Sequence, residues 1–230
     1  ELGASIGVPV PDQVILQRAD DPALGEVDRL GWPLVLKPWR SVARTPRGVA
    51  SFEVRIVSDP RACRARLAEL PPEAFPVLAQ KKVVGPGLGV FLLTHRGQTR
   101  ASFAHRRLRE KPPTGGVSTY RESVPVRPDL LEHAERLARA LEWTGVAMVE
   151  FKEDAATGTP YLMEINARFW GSLQLAVDAG VDFPRLLVDM TLEGDVPPVT
   201  SYRTGVRTRW LWGGVDPLIG VLKAPRGYRR

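Results

Sequence analysis

The sequence contains very little cysteine and no long apolar run. Cys63 is the single cysteine among 230 residues, so an internal disulfide is excluded and a reducing, cytoplasmic setting is predicted. No apolar stretch approaches the roughly 18 residues of a membrane-spanning helix. The N-terminal residues show no charged segment followed by an apolar one. We therefore expect no membrane partner.

Several common site motifs are also missing. Neither the Walker pattern Gly-x-x-x-x-Gly-Lys-Ser/Thr nor the dinucleotide pattern Gly-x-Gly-x-x-Gly occurs between a strand and a helix. The chain has three histidines and shows no convincing Ser-His-Asp arrangement. A nucleotide site of the Walker or Rossmann type and a hydrolase triad are therefore not predicted.

The composition is that of a globular protein with an excess of positive charge. Hydrophobic residues make up 43% and charged residues 25% of the chain, with a formal net charge of +6. Such a balance favours anionic partners, but nucleotides, nucleic acids and phosphorylated metabolites all satisfy it. The chain begins at Glu1 and ends with the basic residues 226–230, so we expect it to be a piece of a longer protein.

Strand and helix patterns both occur along the chain. Strand-like runs cover residues 34–37, 49–56, 77–84, 90–94 and 99–105. One helix is predicted from the cap Asp59-Pro60 to about residue 70, and another follows Pro128, where apolar residues keep helical spacing. Two more are predicted over residues 171–179 and 184–193, each followed by a glycine. This mixture predicts an α+β fold with antiparallel sheets in two lobes.

Two proline-rich steps divide the sequence, at residues 71–72 and 112–116. The second is predicted to separate an N-terminal part, residues 1–111, from a larger lobe at residues 112–200. The N-terminal part includes a small lobe at about residues 24–84, and residues 201–230 form a basic extension. A cleft between two lobes is a natural place for a small molecule.

Two short strand-like segments, residues 147–152 and 161–166, surround a turn that contains Thr157. An antiparallel hairpin centred on Thr157 places Glu150 opposite Glu164, with Asn166 two residues further on the same face. Like charges in that position repel unless a cation lies between them, and this set of oxygens suits Mg²⁺. The alternative interpretation is a polar face turned to water.

Basic residues elsewhere could bind phosphate. Lys37 ends a buried strand, where its ammonium group can meet a phosphate at a fixed place. A solvated lysine is the alternative. The segment 39–48 has three arginines and suits either a loop over phosphates or an exposed basic hairpin tip. Arg168 follows Asn166 on the same strand face, where a cation would bind phosphoryl oxygens.

Residues 105–111 form the densest basic cluster and precede a Gly-Gly turn. Arg107 and Arg109 can bind an anionic substrate and the transferred phosphoryl group. A solvated strand edge protected by charge is an equal alternative. A nucleic-acid patch is less favoured, because the cluster lacks interleaved aromatic residues.

Together these segments resemble the ATP-grasp superfamily, which includes biotin carboxylase, carbamoyl phosphate synthetase and D-alanine:D-alanine ligase. Residues 33–38 resemble its phosphate-binding lysine strand, and residues 78–85 its interlobe hinge. Residues 148–151 and 162–168 resemble its pair of metal-binding strands. Residues 105–116 and 169–174 look closest to short carbamoyl-phosphate-synthetase-like proteins of unassigned substrate.

The resemblance implies ATP bound between two lobes. Lys37 would contact the phosphates, and a hinge segment would surround the adenine, partly by backbone contacts; its residues are Gln80, Lys81, Lys82 and Val83. Glu150, Glu164 and Asn166 would hold one or two Mg²⁺ ions, with Mn²⁺ as an alternative. Arg168 would stabilise the transferred phosphoryl group.

The implied activity is that of a ligase. It makes an acylphosphate from a carboxylate, which an amine or similar nucleophile attacks. Relatives usually carry an upstream domain with a further ATP-binding lysine, so this segment alone is expected to bind nucleotide weakly or be inactive.

Two other functions stay open. One is a nucleotide-binding module that has lost catalysis, suggested by a loop poor in glycine after Lys37 and by Gly87 at the place of a ribose-binding glutamate. The other is a basic nucleic-acid-binding domain. The carboxylate, the acceptor and the oligomeric state are not predicted.

Overall fold

The computed structural model describes residues 2–45, 48–111 and 117–211. Its six α-helices are α1 (Leu2–Ser5), α2 (Leu24–Val27), α3 (Pro60–Ala68), α4 (Pro128–Ala140), α5 (Leu173–Ala179) and α6 (Phe183–Glu193). Its twelve strands are β1 (Gln13–Leu16), β2 (Leu34–Pro38), β3 (Val42–Thr45), β4 (Gly48–Ser51), β5 (Arg55–Val57), β6 (Val77–Lys81), β7 (Gly87–His95), β8 (Gln98–Lys111), β9 (Val117–Val124), β10 (Gly145–Glu153), β11 (Pro160–Asn166) and β12 (Arg207–Arg209). None of the described helices has the length and apolar character needed to span a membrane.

The described chain divides into two compact units. One comprises residues 10–84, and the other comprises residues 2–9 with the described residues from Gly85 onward. The boundary after Val84 coincides with the end of the predicted small lobe at about residues 24–84, whereas the described strands on either side of residues 112–116 belong to one unit. The reason is that β8 and β9, which lie on either side of that segment, pair with each other in one sheet.

The unit of residues 10–84 contains a four-stranded antiparallel sheet in the order β1-β6-β2-β5. Its core includes Leu16, Leu34 and Leu36, and α3 contributes Cys63 and Leu67 to the same cluster. Helix α3 begins where the sequence predicts, because the Asp59 side chain accepts a hydrogen bond from the Ala62 amide at 2.8 Å.

The predicted strand over residues 49–56 is interrupted in the structure. Strand β4 ends at Ser51 and β5 begins at Arg55. Between them, Phe52 is 8% exposed and packs with Ala43 and Ala74 in a separate small cluster. Because this aromatic ring is buried in that cluster, the pairing of β4 with β3 ends before Phe52.

The second unit contains a six-stranded antiparallel sheet in the order β11-β10-β7-β8-β9-β12. Alternate residues of β7 face opposite sides. Val90 and Leu92 pack with α4 on one face, while Phe91 and Leu93 pack with α5 and α6 on the other. The α+β class with antiparallel sheets is thus confirmed.

The start of the predicted basic extension belongs to this sheet. Strand β12 pairs with β9 from Arg207 opposite Glu122 to Arg209 opposite Tyr120. Residues 212–230, the remainder of the predicted extension, lie outside the described residues, as do residues 112–116.

Candidate functional site

The carboxylate hairpin forms and has the predicted pair of glutamates, with a one-residue register shift between Glu150 and Phe151. Glu150 of β10 lies opposite Glu164 of β11, and Met148 lies opposite Asn166. The turn is held by Asp154, whose Oδ1 accepts hydrogen bonds from the amides of Ala156 and Thr157 at 2.8 and 3.1 Å. The sequence therefore places two carboxylates directly opposite each other, an arrangement that favours a cation between them.

The two carboxylates differ in their surroundings. The Glu150 side chain is partly buried, and its Oε2 lies 3.3 Å from an Nη of Arg107, whereas Glu164 is exposed. Burial raises the pKa of Glu150; the Arg107 charge opposes this rise and the Glu164 charge adds to it. Glu150 therefore lies where a second positive charge would favour its ionised form.

Asn166 and Arg168 extend this group of side chains. Asn166 Nδ2 donates to Glu164 Oε1 at 2.8 Å, and Arg168 Nη2 donates to Asn166 Oδ1 at 3.3 Å. Within the described ranges, no group of three or more His, Cys, Asp or Glu side chains is placed to hold a metal. The predicted set is instead two carboxylates and an amide, and these oxygens fit Mg²⁺.

Gly87 lies beside the contact between Arg107 and Glu150. A Cβ atom at position 87 would lie 3.5 Å from Arg107 Nη1 and 3.8 Å from its Cζ, which is ordinary van der Waals contact. The Arg107 side chain, which extends from β8 to Glu150 on β10, therefore passes close to the glycine of β7, and an added methyl group would fit beside it.

Arg107 and Arg109 are not brought together. The β8–β9 register shifts between Arg107 and Arg109 and again before Glu110. Arg107 lines a cavity beside Glu150, whereas the Arg109 side chain is exposed and does not line that cavity. The predicted role of Arg109 in catalysis therefore has no support from its position.

The cavity has a volume of about 380 Å³, within the range of small-molecule sites. One side is charged and polar, and another is apolar. The lining residues are Phe91, His105, Arg107, Ser118, Arg121, Met148, Glu150, Glu164, Arg168, Trp170, Gly171 and Ser172. It thus contains four of the predicted site residues, Arg107, Glu150, Glu164 and Arg168.

Sequence reasoning did not single out the burial of His105 or its contact with Ser172. His105 Nε2 lies 2.8 Å from Ser172 Oγ, and the imidazole stacks on Phe91 with 4.9 Å between ring centroids. Burial, with smaller contributions from the charges of Arg107 and Arg121, lowers the pKa of His105 to about 3. His105 is therefore a neutral hydrogen-bonding residue in the cavity wall.

Arg121 was also missed. It lies opposite Arg107 in the β8–β9 ladder and is 7% exposed. The alternation of residues along β9 would have pointed to it, had residues 112–116 been interpreted as the connection of a hairpin and not as a lobe boundary.

The predicted nucleotide-binding residues lie in the other unit. Lys37 lies on β2 opposite Leu78. The Gln80 side chain is buried, and its Nε2 donates to Gln13 Oε1 at 3.0 Å, so this amide is used within the unit. Lys81 Nζ lies 3.9 Å from Asp12 Oδ2.

The last two predicted adenine-binding residues follow the end of β6. Lys82 is partly buried and Val83 is 7% exposed. The basic segment 39–48 contains β3 and the first residue of β4, and these two strands pair with each other. Residues 46 and 47 lie outside the described residues.

The fold, the hairpin of β10 and β11 and a family match over residues 76–213 place the chain among the ATP-grasp proteins. Comparisons with solved structures show the same fold. N5-carboxyaminoimidazole ribonucleotide synthetase from Thermus thermophilus matches with a TM-score of 0.64 and 18% identity, over 88% of this chain and 52% of that one. The biotin carboxylase domain of 2-oxoglutarate carboxylase from Hydrogenobacter thermophilus, solved with MgADP, ADP and bicarbonate, matches with a TM-score of 0.66 and 16% identity, over 90% of this chain and 47% of that one.

Within this class the chain belongs to the family described as ATP-grasp in the biosynthetic pathway with Ter operon, which matches residues 76–213. A curated relative, D-alanine–D-alanine ligase A from Bacillus cereus, is 27% identical over 198 residues, covering 81% of this chain and 62% of the relative. The chain therefore spans about half to three fifths of the length of these proteins.

Proposed function

We propose that the complete protein is an ATP- and Mg²⁺-dependent ligase that activates a carboxylate as an acylphosphate for attack by an amine or similar nucleophile. The observation that carries this proposal is the Glu150–Glu164 pair, two carboxylates held opposite each other beside a cavity. Membership of the ATP-grasp family supports it. So do the naming of the Bacillus cereus relative as a ligase and the MgADP in the Hydrogenobacter thermophilus structure.

The proposed metal-holding residues are Glu150, Glu164 and Asn166. When bound, Mg²⁺ or Mn²⁺ would neutralise charge on the ATP phosphates. Arg107 keeps Glu150 oriented through their ion pair. Arg168, tied to the same group through Asn166, is proposed to stabilise the transferred phosphoryl group.

The proposed nucleotide contacts come from Lys37 and residues 80–83. Lys37 carries the charge suited to the ATP phosphates. Gln80 is proposed to act through its backbone, because its side-chain amide is already bonded to Gln13. The reaction requires positioning and charge neutralisation more than a general base, which agrees with a wall histidine whose low pKa keeps it neutral.

The test combines binding with chemical trapping. At about 100 times its Kd, MgATP should raise the melting temperature of the complete protein by about 5–10 °C, and Glu164→Gln should remove this shift. An acylphosphate formed from the carboxylate substrate should react with hydroxylamine to give a hydroxamate, with ADP released in equal amount.

Glu132→Gln is the matched control, because Glu132 is an exposed carboxylate on α4 that pairs with Arg136. It should keep the full MgATP shift. If Glu164→Gln also keeps it, the metal assignment is wrong. If MgATP binds but no carboxylate pool yields ADP or hydroxamate, the protein is a nucleotide-binding module and not a ligase.

A further inference from the structure

Arg121 differs from Arg106, Arg107 and Arg207, its neighbours in the sheet, in having no acidic partner among the described residues. Its Nε donates to Thr208 Oγ1 at 3.1 Å and its Nη1 to the Ser118 carbonyl oxygen at 3.0 Å, and both acceptors are neutral. Among the described residues, no carboxylate forms an ion pair with Arg121. On the same sheet, by contrast, Arg106 and Arg207 share Glu122.

This lone cation lies in an unfavourable place. The side chain is buried, and a buried charge without a counterion is costly. Arg121 also lies directly opposite Arg107, and like charges opposite each other in a strand pair repel. Arg107 already has Glu150 as a partner. At this wall of the cavity, the guanidinium charge of Arg121 is therefore not neutralised by any of the described carboxylates of the cavity.

The position of Arg121 separates it from the proposed metal site. The order β10-β7-β8-β9 places three strand spacings between the backbones of Glu150 and Arg121, about 14 Å at about 4.8 Å each. Arg107, which lies opposite Arg121 and pairs with Glu150, occupies the space between them. The apolar side chains of Phe91 and Met148 line the same cavity and lie on the other side of Glu150, next to Asn166 in the strand register. An anion bound by Arg121 is therefore a different group from one at the Glu150–Glu164 pair.

Two other buried atoms on the cavity wall lack partners. Neither His105 Nδ1 nor Trp170 Nε1 has a hydrogen-bond partner within the described part of the chain, and both residues line the cavity. Buried polar atoms of this kind are normally satisfied. Because both atoms are buried within the wall, they leave a local lack of hydrogen bonds beside the cavity and do not themselves face a ligand.

We propose that the substrate is an acid with a second anionic group, a carboxylate or a phosphate, which Arg121 binds. The first carboxylate is the one activated near Arg168, and the apolar part of the substrate lies against Phe91, Met148 and Trp170. This inference rests on the proposed ligase function for the role of the first carboxylate only. The binding of a second anion at Arg121 stands on the geometry of the cavity.

The test measures binding of simple diacids to the complete protein with Mg²⁺ and ADP. The probes are the dicarboxylates from succinate to suberate, their monomethyl esters and the corresponding phosphonocarboxylates, followed by calorimetry. At least one diacid should bind ten times more tightly than its monomethyl ester. Comparison of the dicarboxylates with the phosphonocarboxylates identifies which anion Arg121 prefers.

Arg121→Gln should remove the preference for diacid over ester while leaving MgATP affinity within twofold. Arg106→Gln is the matched control, since Arg106 is exposed and lies one residue from Arg107 on the opposite face of β8; it should keep the preference. If Arg121→Gln does not fold, Arg121→Lys, which keeps the charge without the fork of donors, should weaken the preference three- to tenfold.

Equal affinities of diacid and ester for the unaltered protein would overturn the inference. So would an equal loss of MgATP and diacid binding in Arg121→Gln, because Arg121 would then belong to the nucleotide site. A protein that prefers diacids but binds no MgATP would overturn the proposed ligase and support the anion site.

Discussion

Among the single residues, His105 is the one whose burial has the most direct effect on a measurable property, its pKa. It is 6% exposed, lies against Phe91 and shares the cavity wall with Arg107 and Arg121, whose charges act on it. Both desolvation and nearby positive charge disfavour the imidazolium, and the pKa falls from 6.5 to about 3. The native protein therefore keeps this histidine neutral under conditions in which the unfolded chain protonates it.

We expect His105→Gln to change the pH dependence of stability. Between pH 6.5 and about 3 the unfolded chain binds a proton at His105 that the native protein does not, so the free energy of unfolding falls as the pH falls. The contribution is at most about 1.4 kcal/mol per pH unit. Urea unfolding at several pH values from 4 to 7 should show a shallower slope for the variant.

Ser172→Ala is the control for this prediction. It removes the partner of His105 Nε2 but keeps the titrating ring, so its slope should match that of the unaltered protein. Equal slopes for His105→Gln and the unaltered protein would contradict the neutral assignment.

Individual site residues could be predicted from sequence where they lie at equal distances on either side of one turn. Counting from a turn at Thr157 pairs Glu150 with Glu164, and the structure has that pair, although a one-residue shift after Glu150 changes the pairing of the residues nearer the turn. Arg121 could not be found in this way, because its own strand, β9, begins beyond residues 112–116 and the bulges near Arg109 shift the count from β8. The burial of His105 depends on Ser172 and Phe91, which are distant in sequence.

Among elements, the β7–β8 turn is closely packed against the end of α4. Gly97 has φ +76°, and a Cβ atom there would lie 2.8 Å from Arg139 Cα. Its amide donates to the Trp143 carbonyl oxygen at 2.9 Å, which also accepts from Thr94 Oγ1 at 2.7 Å. Sheet and helix are therefore joined here through their backbones.

We expect Gly97→Ala to lower the free energy of unfolding by about 2–3 kcal/mol, from the left-handed backbone and the contact with α4 together. Gly158→Ala is the matched comparison, because Gly158 has φ +71° and no atom within 4 Å of the added Cβ. It should cost about 1 kcal/mol. Denaturant unfolding of both variants measures the difference, and equal losses would mean that the α4 contact contributes nothing.

Element predictions from sequence were accurate where local signals agree. The cap Asp59-Pro60 starts α3, and Gly180 and Gly194 end α5 and α6 in left-handed conformations. The strand over residues 49–56 was predicted as continuous because its residues suit a strand. Only the packing of Phe52 with Ala74, a contact distant in sequence, interrupts it.

For the molecule as a whole, each of the two units has its own buried apolar clusters. Leu36 belongs to a cluster within residues 10–84, and Leu137 belongs to one in the other unit. Each side chain is 2% exposed. The two-lobe organisation and the end of the small lobe near residue 84 could be expected from the sequence. The division at residues 112–116 fails, because local composition does not show that the strands on either side of that segment pair with each other.

We expect core truncations to affect the two units separately. Leu36→Ala should cost about 2–5 kcal/mol and increase amide hydrogen exchange mainly in residues 10–84. Leu137→Ala should cost a similar amount and increase exchange mainly from residue 85 onward. Exchange measured by mass spectrometry distinguishes the patterns, and a uniform increase in both variants would show that the chain opens as one cooperative body.

Trp170 has a consequence for spectroscopy. Its ring lies 4.4 Å from that of Phe91 and 5.0 Å from that of Phe183, and it lines the cavity with its Nε1 unpartnered among the described residues. Indole emission shifts to longer wavelength when polar atoms approach the ring. The cavity wall therefore contains an intrinsic fluorophore. Binding of a ligand in the cavity should change the tryptophan fluorescence of the protein, so that no added label is needed.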